Sequence, residues 1–550
     1  MPNYGTNSTV HAAHVDVATM QGALVSGYLA NNSGNSKLVF VKKTVKTNIF
    51  SLAPQAHVNQ GGSSEFGKKT YWKIGRQGDY LLNNWIRAEI SSVKASEELR
   101  AKQGTFLRWT HNLGHNLFND IELSFSTVPA ANFDEFYLDF FSAFSVPAGK
   151  RNLYDNMIGN LPELVNPIHQ LDAGRSHQVL PAAVLNIPLP LPYTRDLGIA
   201  LPTGGLIYNE VTLSVDVRPW TELMVVSNGF DTTLDGVPAG YSRQVSRADV
   251  DAPPTVNLQL WGTYAIVTSD ERKLMGRVPR DMIWEVIQTA SHVSVQTPTQ
   301  TVLGYLRYTY AVKCLFFGMR NDTVRGQLSN YTTRQALCYN MKASGPITQV
   351  GLAAVTANGD LHVSTTEFPA PNAFDPISGA IIRYEGADRV SMNTDYYSMV
   401  QPYYHAHVAP NVTGYHVFSY SVDFVNTAHG GSTDYGKLTN VSMEVGLSDD
   451  ALAALKGAPI PDSERPFVNE RGALSALPPG YVGMASVEGR ARHLNGNASG
   501  SAGVVEGTVG PYINQPGGFN SQKQTFELKN ACLAHNVVRV IGGGVGFPIF

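Results

Sequence analysis

Charge is what this sequence has least of. Of 550 residues only 15% are Asp, Glu, Lys or Arg, where an average soluble protein carries about 25%. Interface centres are depleted in charge and enriched in aromatics, and aromatics here reach 10%. So sparse a charged complement on a long chain implies that much of its surface is not left to water. The 41 Lys and Arg and the 44 Asp and Glu are scattered. The densest basic spot, Lys42, Lys43 and Lys46, is too small for the stripe or arm that neutralises phosphates. No direct binding of nucleic acid is therefore expected.

Cysteine is also scarce. Cys314, Cys338 and Cys532 are odd in number and have no C-x-x-C spacing, which excludes a disulfide framework or zinc knuckle and fits a reducing compartment. No apolar run approaches the roughly 18 residues of a membrane span, and the most apolar stretch, 182–192, is broken by prolines. Residues 1–33 lack the basic start and apolar core of a signal peptide. Secretion by the usual route and a membrane-spanning helix are both unexpected. The sequons at Asn7, Asn31, Asn321, Asn330, Asn411, Asn440 and Asn497 are accordingly expected to stay unmodified.

What is present is alternation of period two. Val211, Leu213, Val215 and Val217 alternate with polar residues, as do Ile121, Leu123 and Phe125, and again Phe418, Tyr420, Val422 and Phe424. Each pattern predicts a half-buried antiparallel strand. With 51 Gly and 31 Pro punctuating the runs, the expected class is all-β and sandwich-like. Helix is sparse. One is predicted at 133–142, capped by Asn132 with Glu135 at the capping-box position, and one at 449–456 between Ser448 and Gly457. Residues 15–29 have apolar positions at mixed helical spacing, either an amphipathic arm or an unstructured one; the arm is the expectation.

The halves echo one another, Pro192-Tyr193 leading to Leu213-Ser-Val-Asp-Val217 and Pro402-Tyr403 leading to Tyr420-Ser-Val-Asp-Phe424. The echo suggests a duplicated β domain with a boundary near Gly276. The expected organisation is an arm at 1–37, a first domain at 38–275 and a second at 276–550. A Gly-, Pro- and Ser-rich insertion without periodicity occupies 458–524, long enough to be a functional or disordered loop.

Candidate chemistry is thin. Gly62-Ser-Ser-Glu-Phe-Gly67-Lys68-Lys69 nearly matches a phosphate-binding loop, but Lys69 stands where Ser or Thr would hold magnesium. The following Thr70-Tyr-Trp-Lys-Ile is strand-like where a helix is required, so a surface turn is expected. His111 and His115 lie four apart and His405 and His407 two apart, yet neither pair comes with the further ligands zinc needs. Gly114 argues against a helix between the first two. No Gly-x-Ser-x-Gly elbow occurs. No catalytic, cofactor-binding or metal site is assigned, no cofactor is expected, and the chain is not expected to be an enzyme.

A family does emerge from longer blocks. These are Gly78-Asp-Tyr-Leu-Leu-Asn-Asn-Trp-Ile86, Arg108-Trp-Thr-His-Asn-Leu-Gly-His-Asn116, Tyr154-Asp-Asn-Met-Ile-Gly-Asn160 and Leu189-Pro-Leu-Pro-Tyr-Thr-Arg-Asp196. Further on stand Thr268-Ser-Asp-Glu-Arg272, Asp395-Tyr-Tyr-Ser-Met399, Gly431-Ser-Thr-Asp-Tyr-Gly-Lys-Leu-Thr-Asn440 and the terminal Gly546-Phe-Pro-Ile-Phe550. In their order and spacing the chain resembles the iridovirus-type major capsid proteins of nucleocytoplasmic large DNA viruses, weakly across 227–254 and 321–387 and hardly at all across 458–524.

The resemblance implies two consecutive eight-stranded antiparallel jelly rolls (a double jelly roll) with few short helices. It implies a structural protein whose homotrimers form pseudo-hexagonal capsomers tiling an icosahedral shell, against neighbouring capsomers and minor capsid proteins. It further implies an inner viral membrane, which the N-terminal arm would touch, residence in the virion and assembly in the host cytoplasm. On this basis 458–524 is expected on the outer surface and 1–35 at the inner end. Two alternatives remain: a minor capsid or spike protein on the same fold, and a carbohydrate-binding or glycan-hydrolysing β-sandwich protein, which predicts a signal peptide and paired carboxylates in a cleft. Native mass separates the lectin from a trimer of three 59.6 kDa chains.

Overall fold

The structure, a computed structural model, describes residues 50–101, 106–165, 179–227, 242–333, 375–410, 414–457 and 523–546, with short strand pairs at 353–363 and 467–475. The expectations for residues 1–49, for Cys338 and Asn411, and for most of 458–524 lie outside the described residues.

Alternation becomes sheet in the first half. One antiparallel sheet runs Phe50–Ala56, Val256–Val267, Tyr80–Ile90, Ala183–Pro188, and a second runs Val58–Gly62, Lys69–Ile74, Val211–Val217, Phe118–Phe125, Val128–Phe133. Leu81, Ile86, Ala88, Leu258 and Leu260 of the first sheet join Trp72, Ile74, Ile121, Leu123, Leu213 and Val215 of the second in one apolar cluster. Each large side chain so buried contributes about 1.5–3 kcal/mol.

The second half repeats the scheme. A seven-stranded sheet has the path Arg280–Thr289, Phe526–Ile541, Ala311–Asn321, His416–Ser419, and a four-stranded sheet the order Thr301–Tyr305, Val441–Leu447, Ile377–Tyr384, Ala387–Asn393. Among the described residues every sheet draws its strands from one side of the helix Ser269–Arg277 only. Gly276 lies within that helix.

The seven-stranded sheet is covered on both faces. Leu315, Phe317, Met319, Leu528, Cys532 and Ala534 pack with Ile382, Met443 and Val445 of the four-stranded sheet. Met282, Trp284, Cys314, Phe316, Ala531 and Leu533 instead join the first-half cluster. This is why Ala311–Asn321 shows no alternation and is buried at nearly every position, Lys313 included, as strands covered on two sides are. Residues 52–550 accordingly form one compact unit.

Three local expectations are corrected. The helix begins at Glu135 and runs to Ser145, capped by Asp134, whose side chain accepts from Tyr137 N at 3.0 Å. Asn132 cannot cap it, because the strand Val128–Phe133 holds Asn132 opposite Glu122. The alternating run 418–424 leaves its sheet after Ser419. Ser421 N donates to Ser419 Oγ at 3.1 Å and Ser421 Oγ to Asp423 O at 3.0 Å, and such local bonds compete with the ladder. The Ser-Val-Asp echo therefore joins a central strand to a bend. Finally, Leu113–Asn116 is a short helix despite Gly114. Glycine is required there because Gly114 N donates to Ile158 O at 2.7 Å, and a Cβ would lie 2.8 Å from Ile187 and 3.1 Å from the Ile158 backbone. The helix Asp449–Lys456 keeps its expected ends, with Ser448 accepting from Ala451 N at 3.3 Å and Gly457 at φ 72°.

Candidate functional site: the buried junction between the two halves

Apolar faces attract without direction, so what orients one sandwich on the other must be polar. The chain places three polar knots at that junction, each drawing residues from both sides of the helix Ser269–Arg277.

The first is Arg195–Glu285–Lys313. Lys313 is fully buried and Glu285 nearly so, at 0% and 2% side-chain exposure. Lys313 Nζ donates to Glu285 Oε1 at 2.8 Å, and Arg195, from the first half, donates to the other carboxylate oxygen. The Arg195 guanidinium lies 4.4 Å from the centre of the Phe141 ring. Next to it Trp284 donates its indole N–H to Ala130 O at 2.7 Å, a bond across the junction.

The second knot is built on Asp139. The helix Glu135–Ser145 aims it at His115, whose Nδ1 lies 2.6 Å from Asp139 Oδ1 and whose Nε2 lies 2.7 Å from the Tyr154 hydroxyl. Asn112, held at φ 48°, donates to the same carboxylate at 3.1 Å. Ser329 of the second half donates to Asp139 Oδ2 and accepts from Asn116 Nδ2 at 2.7 Å. The blocks 108–116 and 154–160 thus meet in one buried network.

The third is Glu135, which accepts from Lys529 at 2.9 Å and from Arg320 at 3.2 Å, with Arg218 at 3.3 Å. Burial alone would raise its carboxyl; the Lys529, Arg218 and Arg320 charges outweigh burial and hold it below the usual carboxylate range. Outside the junction, Asp79 of the block 78–86 takes a bidentate bond from Arg272 of the block 268–272, at 2.6 and 2.9 Å, and pins the connecting helix.

The sequence-derived candidates do not converge on a reactive centre. Residues 62–69 join the antiparallel strands Val58–Gly62 and Lys69–Ile74, with Gly62 and Gly67 at positive φ and Lys68 paired to Glu65 at 2.6 Å on the surface. His405 and His407 do not share a strand face. His405 ends the helix Gln401–His405 and lies 3.0 Å from Val422 O, and His407 is exposed, 3.4 Å from Asp423. Among the described residues no three His, Cys, Asp or Glu cluster as a metal site would. A cavity of about 420 Å³ opens beside the Asp139 knot, lined by His111, Asn112, Arg151, Asp155, Val408 and Tyr415.

Sequence reasoning missed Asp139, Arg195, Glu285 and Lys313. A usable signal was there: Glu285, Lys313 and Asp139 each interrupt an apolar run, as in Ala311-Val-Lys-Cys-Leu-Phe-Phe317. A charge in such a place must find a partner.

Comparison with known proteins bears on the family and the fold. Residues 38–267 match the family model for the major capsid protein N-terminus, and residues 271–463 match that for the large eukaryotic DNA virus major capsid protein. The chain is 33% identical to the major capsid protein of Invertebrate iridescent virus 6, covering 99% of both chains. It is 36% identical to that of Costelytra zealandica iridescent virus, over 82% of this chain and 91% of that one. Among solved structures, the PBCV-1 virus capsid superposes with a TM-score of 0.60 at 16% identity, over 93% of this chain and 99% of the other. The Faustovirus major capsid protein does so with a TM-score of 0.56 at 10% identity, over 96% and 98%. At these identities the two structures speak for the fold, the double jelly roll.

Proposed function

This chain belongs to the large eukaryotic DNA virus major capsid proteins, and from that membership we propose how it builds a shell. Its function is structural: it is a capsid protein of the virion, and proteins of this family assemble into capsomers and capsids. In our proposal the assembling unit is a homotrimer whose six jelly rolls form a pseudo-hexagonal block of an icosahedral shell. The domains are 38–275 and 276–550, with 1–37 as an arm toward minor capsid proteins and the inner viral membrane. Residues 458–524 project outward, assembly takes place in the host cytoplasm, and the chain carries out no catalysis.

The observation that carries this proposal is the seven-stranded sheet covered on both faces. It packs the two sandwiches into one compact unit, and a tile must transmit load without its halves shearing. A closed ring of such bodies also hides sheet edges that would otherwise pair at random. Electron microscopy of the purified protein tests the proposal. The expected particle is a three-fold block of three 59.6 kDa chains with a hexagonal outline; a monomeric or two-fold particle refutes it.

A further inference from the structure

The helix Gln401–His405 carries two tyrosines that the described residues leave largely exposed. Tyr403 is 75% and Tyr404 69% exposed, and their rings pack edge-to-face on each other at 5.0 Å. Val400 stands one helical turn before them. Val422, 73% exposed, is fastened beside them because His405 Nδ1 lies 3.0 Å from Val422 O and Phe424 N donates to His405 O. Two large aromatics bury about 150–250 Å² each when covered. The four side chains therefore leave open an apolar area of roughly 400 Å², the size of the largest patch on a typical monomer, which is often functional.

The patch is also preformed. Gln401 Oε1 accepts from Ser419 N at 3.0 Å and the Tyr397 hydroxyl donates to Ala380 O at 2.8 Å, so covering it costs little ordering entropy. Its chemistry narrows the occupant. Residues 394–410 contain no Lys or Arg and a single acid, Asp395. Nucleic acid and anionic lipid both call for cations, and none stands on this segment. An uncharged aromatic centre with a polar rim, here His407 and Asp423 at 3.4 Å, is the anatomy of a protein contact. Shell subunits must meet further copies of themselves.

We propose that Val400, Tyr403, Tyr404 and Val422 form the centre of the contact by which one copy of this chain packs against the next within the capsomer. The inference rests on the trimeric reading above. In a three-fold ring this contact is heterologous, so the tyrosine pair meets a different surface of the neighbour. At roughly half of the 800 Å² or so per partner of a standard interface, the patch supplies the core of the contact and leaves the rim to other residues.

Two variants test it by sedimentation velocity at micromolar concentration, with circular dichroism as the control for folding. Tyr403→Ser with Tyr404→Ser removes the aromatic pair, and Val422→Asp puts a charge on a different element of the same patch. Each is expected to stay folded and to weaken self-association at least about thirtyfold, the loss of one hot spot, so that monomer predominates. Wild-type protein that is itself monomeric sinks the trimeric reading. A trimeric wild type with both variants equally trimeric overturns this inference alone and leaves the patch to another virion protein or a glycan. A serine variant that does not fold also overturns it, since the pair would then serve its own chain.

Discussion

Glu285→Gln isolates what the buried junction contributes to stability. An exposed ion pair is worth under about 1 kcal/mol, but the partners here are not exposed: side-chain exposure is 2% for Glu285, 0% for Lys313 and 7% for Arg195. Glutamine keeps the volume and one carbonyl acceptor, yet turns an amide donor toward two buried cations that have lost their counter-charge. Breaking a buried pair from one side costs about 3–5 kcal/mol. At a urea slope of roughly 4 kcal/mol/M for a chain of this size, the midpoint should fall by about 1 M. Trp284 is the neighbouring residue and fully buried, so its fluorescence reports the event, at one fixed protein concentration because assembly shifts the midpoint. A companion combining Arg195→Met, Glu285→Leu and Lys313→Met should lose less than about 1 kcal/mol, or gain, since no buried charge is then left unpaired. If Glu285→Gln itself loses less than about 1 kcal/mol, the triad does not hold the junction.

Three further outcomes are expected. His57 and His535 are both depressed to about 4, by burial in each case and in His535 also by the Lys313 charge. Their folded forms refuse a proton that the unfolded chain accepts near pH 6.5, so stability is intact above pH 6.5 and falls as pH drops toward 4, by about 2 kcal/mol per histidine at pH 5. Asp134, raised by burial and then by the Glu135 charge, works in the opposite direction. The measurement is therefore the pH 7 to pH 5 stability difference in His57→Gln against wild type, and equal differences would refute the assignment. Gly414 sits at φ 96°, where a Cβ would fall 2.3 Å from the Tyr331 carbonyl. Gly414→Ala should cost about 3 kcal/mol or more by thermal or urea melting, and a neutral result would mean that the loop relaxes freely. Lys68→Ala should change stability by under about 0.5 kcal/mol and reveal no ATP binding to lose by calorimetry; ATP binding that vanishes in the variant would reopen residues 62–69 as a phosphate site.

The sequence made the fold legible wherever one sheet face meets a core and the other meets water. Val211–Val217 and Phe118–Phe125 alternate in the chain and pair in the structure, because burial on one side imposes period two. Legibility failed where that condition fails. Ala311–Asn321 is covered on both faces, so it carries no alternation by which to place it. The run 418–424 alternates but is claimed by serine side-chain bonds to its own backbone, a competition that hydropathy cannot register. Gly114 looked like a helix breaker because the segment it touches, Ile158 of a block more than forty residues on, is not visible to a local reading. The junction was legible only as anomalies: Glu285, Lys313 and Asp139 were charges in the wrong places, and their partners were scattered from Asn112 to Ser329.

That scatter follows from the task of the junction. Within each half, backbone ladders fix strand register, and a slip by one residue would turn every core side chain outward. Between the halves no ladder runs among the described residues, since every described sheet keeps to one side of the helix Ser269–Arg277. Aliphatic and aromatic faces such as Phe316 against Tyr137, Phe140 and Phe144 can supply area, but dispersion and the hydrophobic effect penalise a small rotation of one face on the other only weakly. A carboxylate shared between a lysine of its own sheet and an arginine of the other half is sensitive to distance and direction alike. Asp139, held by His115 and Asn112 from one half and Ser329 from the other, constrains the angle a second time at a separate point. Two such points fix a rotation that one would leave open. For an isolated sandwich pair that precision would have little use, but in a capsid an angular error in one subunit is passed to its neighbours.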